Sequence, residues 1–253
     1  MIGTAASTGV RGAAARGHLA GVAALGVVVG LCLVFAGAAH TATLIPAPTL
    51  DPAPRDDRSQ TAVIAGGCFW GIQAVFQHVK GVTRVLAGYS GGAKDTAVYE
   101  TVSTGRTGHA ESVEILFDPH QLSYGRILQI YFSVAHDPTE LNRQGPDVGT
   151  QYRSAIFYAN DEQQRVAQSY VAELTRAGVY PRPIVTKLDP LVAFYPAEAY
   201  HQDYAVLHPN NPYIATFDLP KLNALKRLFP NLYRELPVTV MAATNPNTTN
   251  PSK

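Results

Sequence analysis

Two side chains in this sequence stand where their surroundings would alter their chemistry. The first is Cys68, in Gly66-Gly67-Cys68-Phe69-Trp70-Gly71. The glycines ahead of it let the backbone turn sharply and let a ligand approach closely. Phe69, Ile72, Phe76 and Val79 follow at helical spacing. The sulfur is therefore expected at a helix N-terminus, where the dipole and unpaired amides favour the thiolate and lower the pKa from its ~8.5 reference. Phe69 and Trp70 supply an apolar wall beside it. A small buried cysteine at a tight turn fits these local features equally well.

The second is Glu111, in Glu111-Ser112-Val113-Glu114-Ile115-Leu116-Phe117. Strand alternation puts Glu111, Val113, Ile115 and Phe117 on one face, which is otherwise apolar. Glu114, Ser112 and Asp118 take the opposite face. A carboxylate on a buried face is costly to ionise, so its pKa rises and it becomes a general acid near neutral pH. The competing reading has Glu111 at the strand start, turned outward and paired with Arg106. Tyrosine is abundant, 13 against 9 phenylalanines, and its hydroxyl can donate a hydrogen bond from within an apolar wall.

Elements that could hold these groups alternate along residues 61–188. Periodicity predicts strands at 61–66, 82–88, 111–117, 153–159 and 183–188. It predicts helices at 69–79, at 123–134 with Ser123 as N-cap, and at 161–177 opened by Asp161 and closed at Gly178. The order β-α-β-β-α-β implies an α+β fold, a ferredoxin-like split-βαβ sandwich with C-terminal additions.

The ends of the chain read differently. Residues 19–36 carry no charge and follow Arg11 and Arg16, and Ala36-Gly37-Ala38 offers a cleavage site. Residues 1–42 are thus expected to be a signal peptide or a retained N-terminal membrane anchor, placing the protein in the periplasm or on the outer face of an inner membrane. Residues 43–60 hold Pro46, Pro48, Pro52 and Pro54 and read as an extended linker. One domain is expected over 61–236, with a disordered tail at 237–253. The whole chain has 253 residues and a net charge of +1, which argues against nucleic-acid binding by phosphate neutralisation. Its two cysteines exclude a disulfide scaffold and a multi-thiolate zinc site.

Six blocks in order make the sequence resemble the A-type peptide methionine sulfoxide reductases over about residues 61–232. They are Gly67-Cys68-Phe69-Trp70-Gly71, Gly88-Tyr89-Ser90-Gly91-Gly92, Thr107-Gly108-His109-Ala110-Glu111, His136-Asp137-Pro138, Gly149-Thr150-Gln151-Tyr152-Arg153-Ser154 and Tyr200-His201-Gln202-Asp203-Tyr204. The resemblance implies that Cys68 attacks the sulfoxide sulfur, that Glu111 protonates its oxygen, and that Tyr99 and Tyr152 hold that oxygen. It implies a supporting carboxylate at Asp147 and an aromatic wall for the methyl group at Phe69 and Trp70. It also implies action on the S epimer, free or in oxidised peptides and proteins, through a cysteine sulfenic acid and without metal or organic cofactor. Many members carry a resolving cysteine near the C-terminus, whereas here no cysteine follows Cys68. An external thiol is then required, from a thioredoxin- or glutaredoxin-like protein or a small molecule. A monomer is the default expectation.

Other constellations compete. His109 or His136 could pair with Cys68 as in a cysteine hydrolase. Glu198-Ala199-Tyr200-His201 has E-x-x-H spacing, but a ferritin-like di-iron site needs two such motifs plus two more glutamates. A non-enzymatic module whose aromatic pocket holds a thioether would need the same aromatics and no reactive sulfur.

Overall fold

The computed structural model describes residues 42–53 and 58–243. In chain order the elements are β1 (Gln60–Gly66), α1 (Phe69–Gln77), β2 (Val82–Ser90), α2 (Tyr99–Val102), β3 (Ala110–Phe117), α3 (Tyr124–Ile130), β4 (Arg143–Gln144), β5 (Asp147–Val148), β6 (Ser154–Tyr158), α4 (Asp161–Arg176), β7 (Lys187–Pro190), β8 (Phe194–Pro196), α5 (Tyr204–Leu207), α6 (Leu219–Leu228) and α7 (Val240–Ala243). Strands and helices share one α+β fold. The main sheet runs β7-β6-β1-β3-β2-β8, and β4 pairs with β5 apart from it. Only β6 and β7 run parallel within the main sheet.

The two faces of the sheet bury different sets, as a period of two requires. Ala62, Ile64, Val113, Ile115, Phe117 and Ile156 pack into the large core with residues of α1, α3 and α4. Val63, Ala65, Ala155 and Phe157 face the other way and are covered by Leu191 and Phe194. Glu111 shares the face of Val113, so it points into the helix layer. Ser123 caps α3, its hydroxyl accepting from the Arg126 amide at 3.2 Å. A π-helical turn at Tyr131–Ala135 continues from α3.

Several boundaries differ from the sequence reading, each for a physical reason. Asn160, not Asp161, caps α4, accepting from the Gln163 amide at 2.9 Å. The last strand expected at 183–188 is displaced to Lys187–Pro190, because Pro181 and Pro183 lack the amide donors a ladder needs. The stretch expected as a linker is docked over its described part. Ile45 is buried in the main core; its amide donates to the Ser133 hydroxyl at 3.3 Å and its carbonyl accepts from Gln129 at 2.6 Å. Tyr170 donates to the Pro46 carbonyl at 2.7 Å, and Thr49 bonds Glu173. Prolines keep this strap extended, and its apolar residue gives it somewhere to bind. At the other end the Val238 amide donates to the Gln77 carbonyl, and the Val240 amide to Asp203, both at 3.0 Å. The expected export segment at residues 1–41 lies outside the described residues. Among the described residues no helix is long and apolar enough to cross a membrane.

Candidate active site

The turn between β1 and α1 creates the site. Gly67 has φ +98°, and a Cβ there would lie 2.6 Å from the side chain of Gln144. That left-handed step lets the chain leave β1 and place Cys68 as the N-cap of α1, buried. The first amide of α1 is taken by a partner 42 residues away: the Phe69 N–H donates to Glu111 Oε2 at 3.0 Å. β3 supplies that carboxyl because its register sets Glu111 opposite Tyr89 of β2, on the face toward α1. Glu111 is 2% exposed, while Arg106 lies exposed on the preceding loop. The inward reading of Glu111 therefore holds.

Burial pushes the Glu111 carboxyl up to about 8; the Phe69 amide opposes this and Asp147 adds to it. The thiol departs from expectation. Burial raises Cys68 well above its ordinary value, and the carboxylates of Glu111 and Asp218 raise it further. The Trp70 amide and Lys221 favour the thiolate but are outweighed. A helix N-terminus lowers a thiol pKa where water can still reach the anion; here desolvation dominates.

Five further residues close around the pair. Tyr99 opens α2, and Tyr152 lies in a short 3-10 turn before β6. Burial raises both hydroxyls, and both lie near enough to Glu111 and Cys68 to feel their charge. They remain neutral donors. Asp147 of β5 has its carboxyl raised by burial and accepts a short hydrogen bond from the Tyr213 hydroxyl. Phe69 is buried, and Trp70 is half-buried with its ring stacked 3.9 Å from Tyr204. All seven residues singled out in the sequence thus converge on one place.

The sequence reading assigned no role to Tyr213, Asp218 or Lys221. Tyr213 sits edge-on to Trp70 at 6.1 Å. Asp218 and Lys221 pair at 3.0 Å against the first turn of α1. A Cβ on Gly71 would fall 2.0 Å from Asp218 Oδ1, which explains the glycine that follows Trp70. Asn211-Pro212-Tyr213 and Asp218-Leu219-Pro220-Lys221 carry no local period toward Cys68; packing brings them to the site.

The hydrolase constellation is not assembled. His109 uses both ring nitrogens on the backbone of Gly92 and Ala93. His136 uses both on the Tyr131 carbonyl and the Ser154 hydroxyl. Glu198 and His201 lie in or beside a 3-10 turn, and among the described residues no group of three or more His, Cys, Asp or Glu is placed to hold a metal.

Comparison with known proteins agrees with this geometry. The family model described as peptide methionine sulfoxide reductase matches residues 60–231. A curated relative from Mesorhizobium japonicum, Peptide methionine sulfoxide reductase MsrA 2, is 63% identical over 187 residues, which is 74% of this chain and 96% of the relative. Solved structures are similar as well. Mxr1 from Saccharomyces cerevisiae in reduced form has a TM-score of 0.55 and 28% identity, covering 67% of this chain and 94% of that one. Methionine sulfoxide reductase A of Corynebacterium diphtheriae has a TM-score of 0.52 and 35% identity, covering 60% of this chain and 76% of that one.

Proposed function

Since the chain belongs to the peptide methionine sulfoxide reductase family and reduces methionine sulfoxide to methionine, we propose that Cys68 and Glu111 carry out that reduction. One observation carries the assignment: a buried carboxyl, protonated at neutral pH, bonds the amide next to the thiol. A sulfoxide oxygen leaves poorly until it is protonated. Glu111 donates that proton while Tyr99 and Tyr152 hold the oxygen by their hydroxyls. Cys68 sulfur attacks the sulfoxide sulfur, and its own proton returns to Glu111. The oxygen then passes from the substrate sulfur to Cys68 sulfur as the transient sulfur–sulfur bond and the substrate's sulfur–oxygen bond break, so methionine departs and Cys68 is left as a sulfenic acid. Proton and oxygen are both accounted for with no other group. Asp147 and Tyr213 brace the site from the β4–β5 side. Phe69 and Trp70 wall the methyl group.

The substrate we propose is the S epimer, both free and in oxidised peptides. An assay of both epimers with dithiothreitol checks it; equal turnover of the R epimer would overturn the assignment.

The sulfenic acid is resolved from outside. A first external thiol forms a mixed disulfide with Cys68 and releases water; a second thiol frees Cys68 and leaves as the disulfide. Thioredoxin-like, glutaredoxin-like and small thiols all fit this chemistry. The absence of any cysteine after Cys68 supports this single-cysteine cycle. Mass spectrometry after one turnover without reductant is expected to find a trapped sulfenic acid adduct on Cys68. An intramolecular disulfide would sink the scheme.

We further read the four strands β6-β1-β3-β2 as a ferredoxin-like split βαβ. Their order and their antiparallel pairing support this. We also propose export, supported by the uncharged residues 19–36 behind Arg11 and Arg16. Fractionation with N-terminal sequencing tests it, and a cytoplasmic protein with its N-terminus intact would refute it.

A further inference from the structure

Glu198-Ala199-Tyr200-His201 is a motif of the sequence that the reaction leaves unused. His201 is 2% exposed. Its ring lies 4.4 Å from Tyr99, 5.0 Å from Phe69 and 5.8 Å from Trp70, centroid to centroid. It therefore packs against three of the residues assigned to the pocket. Its Nδ1 accepts a hydrogen bond from Trp70 Nε1 at 3.1 Å. An indole nitrogen can only donate. Nδ1 must then be the bare nitrogen, and the proton of the neutral ring sits on Nε2. Nε2 is buried with no hydrogen-bond partner among the described residues; the nearest carboxylate, Glu198, is 4.0 Å away. Glu198 is itself occupied, accepting from the Tyr99 amide at 3.0 Å and from the Tyr89 hydroxyl at 2.9 Å.

The turn is clamped in place from both sides. Gln202 exchanges hydrogen bonds with the backbone of Ala87, and Gln73 of α1 bonds both Gln202 and the Asp203 amide. His201 is therefore fixed to α1 and β2 while its ring reaches the indole.

We propose that His201, in its Nε2-protonated neutral form, is a positioning residue that locks the Trp70 indole as a wall of the sulfoxide pocket. The role rests on the reading of Trp70 as that wall. A second proton on the ring would turn Nδ1 from acceptor to donor, facing the indole donor, and the lock would open. Burial holds His201 below its ordinary value, against the pull of Glu198 on its own turn and Glu100 of α2. The other titratable groups facing the ring, Tyr99 and Tyr200, have their hydroxyls raised and stay neutral. The lock therefore stays shut at neutral pH and opens only in acid.

Trp70 is the sole tryptophan of the chain, so intrinsic emission reports it alone. The experiment titrates emission of the full chain from about pH 8 to about pH 4, reaching below the range of an ordinary histidine because burial holds His201 low, in wild type, His201→Gln and His201→Leu. Glutamine keeps an acceptor for the indole and does not titrate; leucine removes the acceptor. Wild-type emission is expected to shift on the acid side, and His201→Gln to be flat there while keeping its kcat/KM within about threefold. His201→Leu is expected to raise KM about tenfold with little change in kcat, the factor that one unpaired buried donor is worth. A wild type that does not titrate, or an identical titration in His201→Gln, would overturn the lock. If the titration vanishes in His201→Gln while folded His201→Leu keeps the wild-type KM, the lock stands and it is the pocket assignment of Trp70 that falls. Should His201→Leu fail to fold, the comparison of wild type with His201→Gln still decides.

Discussion

With its carboxyl held at about 8, Glu111 carries its proton in roughly nine of ten molecules at pH 7. Loss of that proton is expected to shut the reaction down, so kcat/KM should fall as pH rises through about 8. Glu111→Gln keeps the bond to the Phe69 amide but supplies no proton. It is expected to lower kcat by about 10²–10⁴-fold and to remove the alkaline limb of the profile; a rate–pH series on both proteins checks this. Cys68 and Glu111 were legible because each sits in a local pattern, a glycine-flanked helix start and an alternating strand. The direction of the thiol shift was not legible. Residues 69–79 announce a dipole, but the burial of Cys68 and the carboxylates of Glu111 and Asp218 come from packing across the chain. Tyr213 and His201 escaped assignment for the same reason, being 145 and 133 residues from Cys68 in sequence.

Helix α1 depends on a surface that refuses side chains. Gly71 faces the Asp218–Lys221 pair, and a methyl group there would collide with a carboxylate oxygen at 2.0 Å. Gly71→Ala is expected to cost about 1–3 kcal/mol and to disturb the first turn, where Cys68 sits; urea denaturation measures the first effect and turnover the second. The docked strap makes a separate prediction. Ile45 is 3% exposed, so Ile45→Ala is expected to cost about 2–4 kcal/mol while leaving KM unchanged, read by thermal unfolding and kinetics together. The long elements β1, α1, β2, β3 and α4 could be read from period alone. α2, β4, β5 and β8 have only two to four residues each, too few for a period to show. The strap was misjudged because proline content speaks to stiffness, and one buried isoleucine decides whether a stiff segment docks.

The whole molecule carries a cost for its acid. A carboxyl whose folded pKa lies above its unfolded value binds more protons folded than unfolded. Stability is therefore expected to decline as pH climbs from about 4.5 toward about 8, by up to about 5 kcal/mol from this group, and then to level. Unfolding of wild type against Glu111→Gln across that range isolates the contribution, and parallel curves would refute it. The α+β class was visible in the order of periodic segments. The cover that Leu191 and Phe194 lay over the second face of the sheet was not, since a connecting residue and a three-residue strand are too short to show a period.

Glu111 is also the plug at the start of α1, through the Phe69 amide. Each time it surrenders its proton, the fresh negative charge appears against a helix end that attracts anions, and the bond to Phe69 becomes charge-assisted, hence tighter. The scaffold under the attacking sulfur thus grips hardest during the brief interval when bonds are being exchanged, and relaxes again once the acid is recharged.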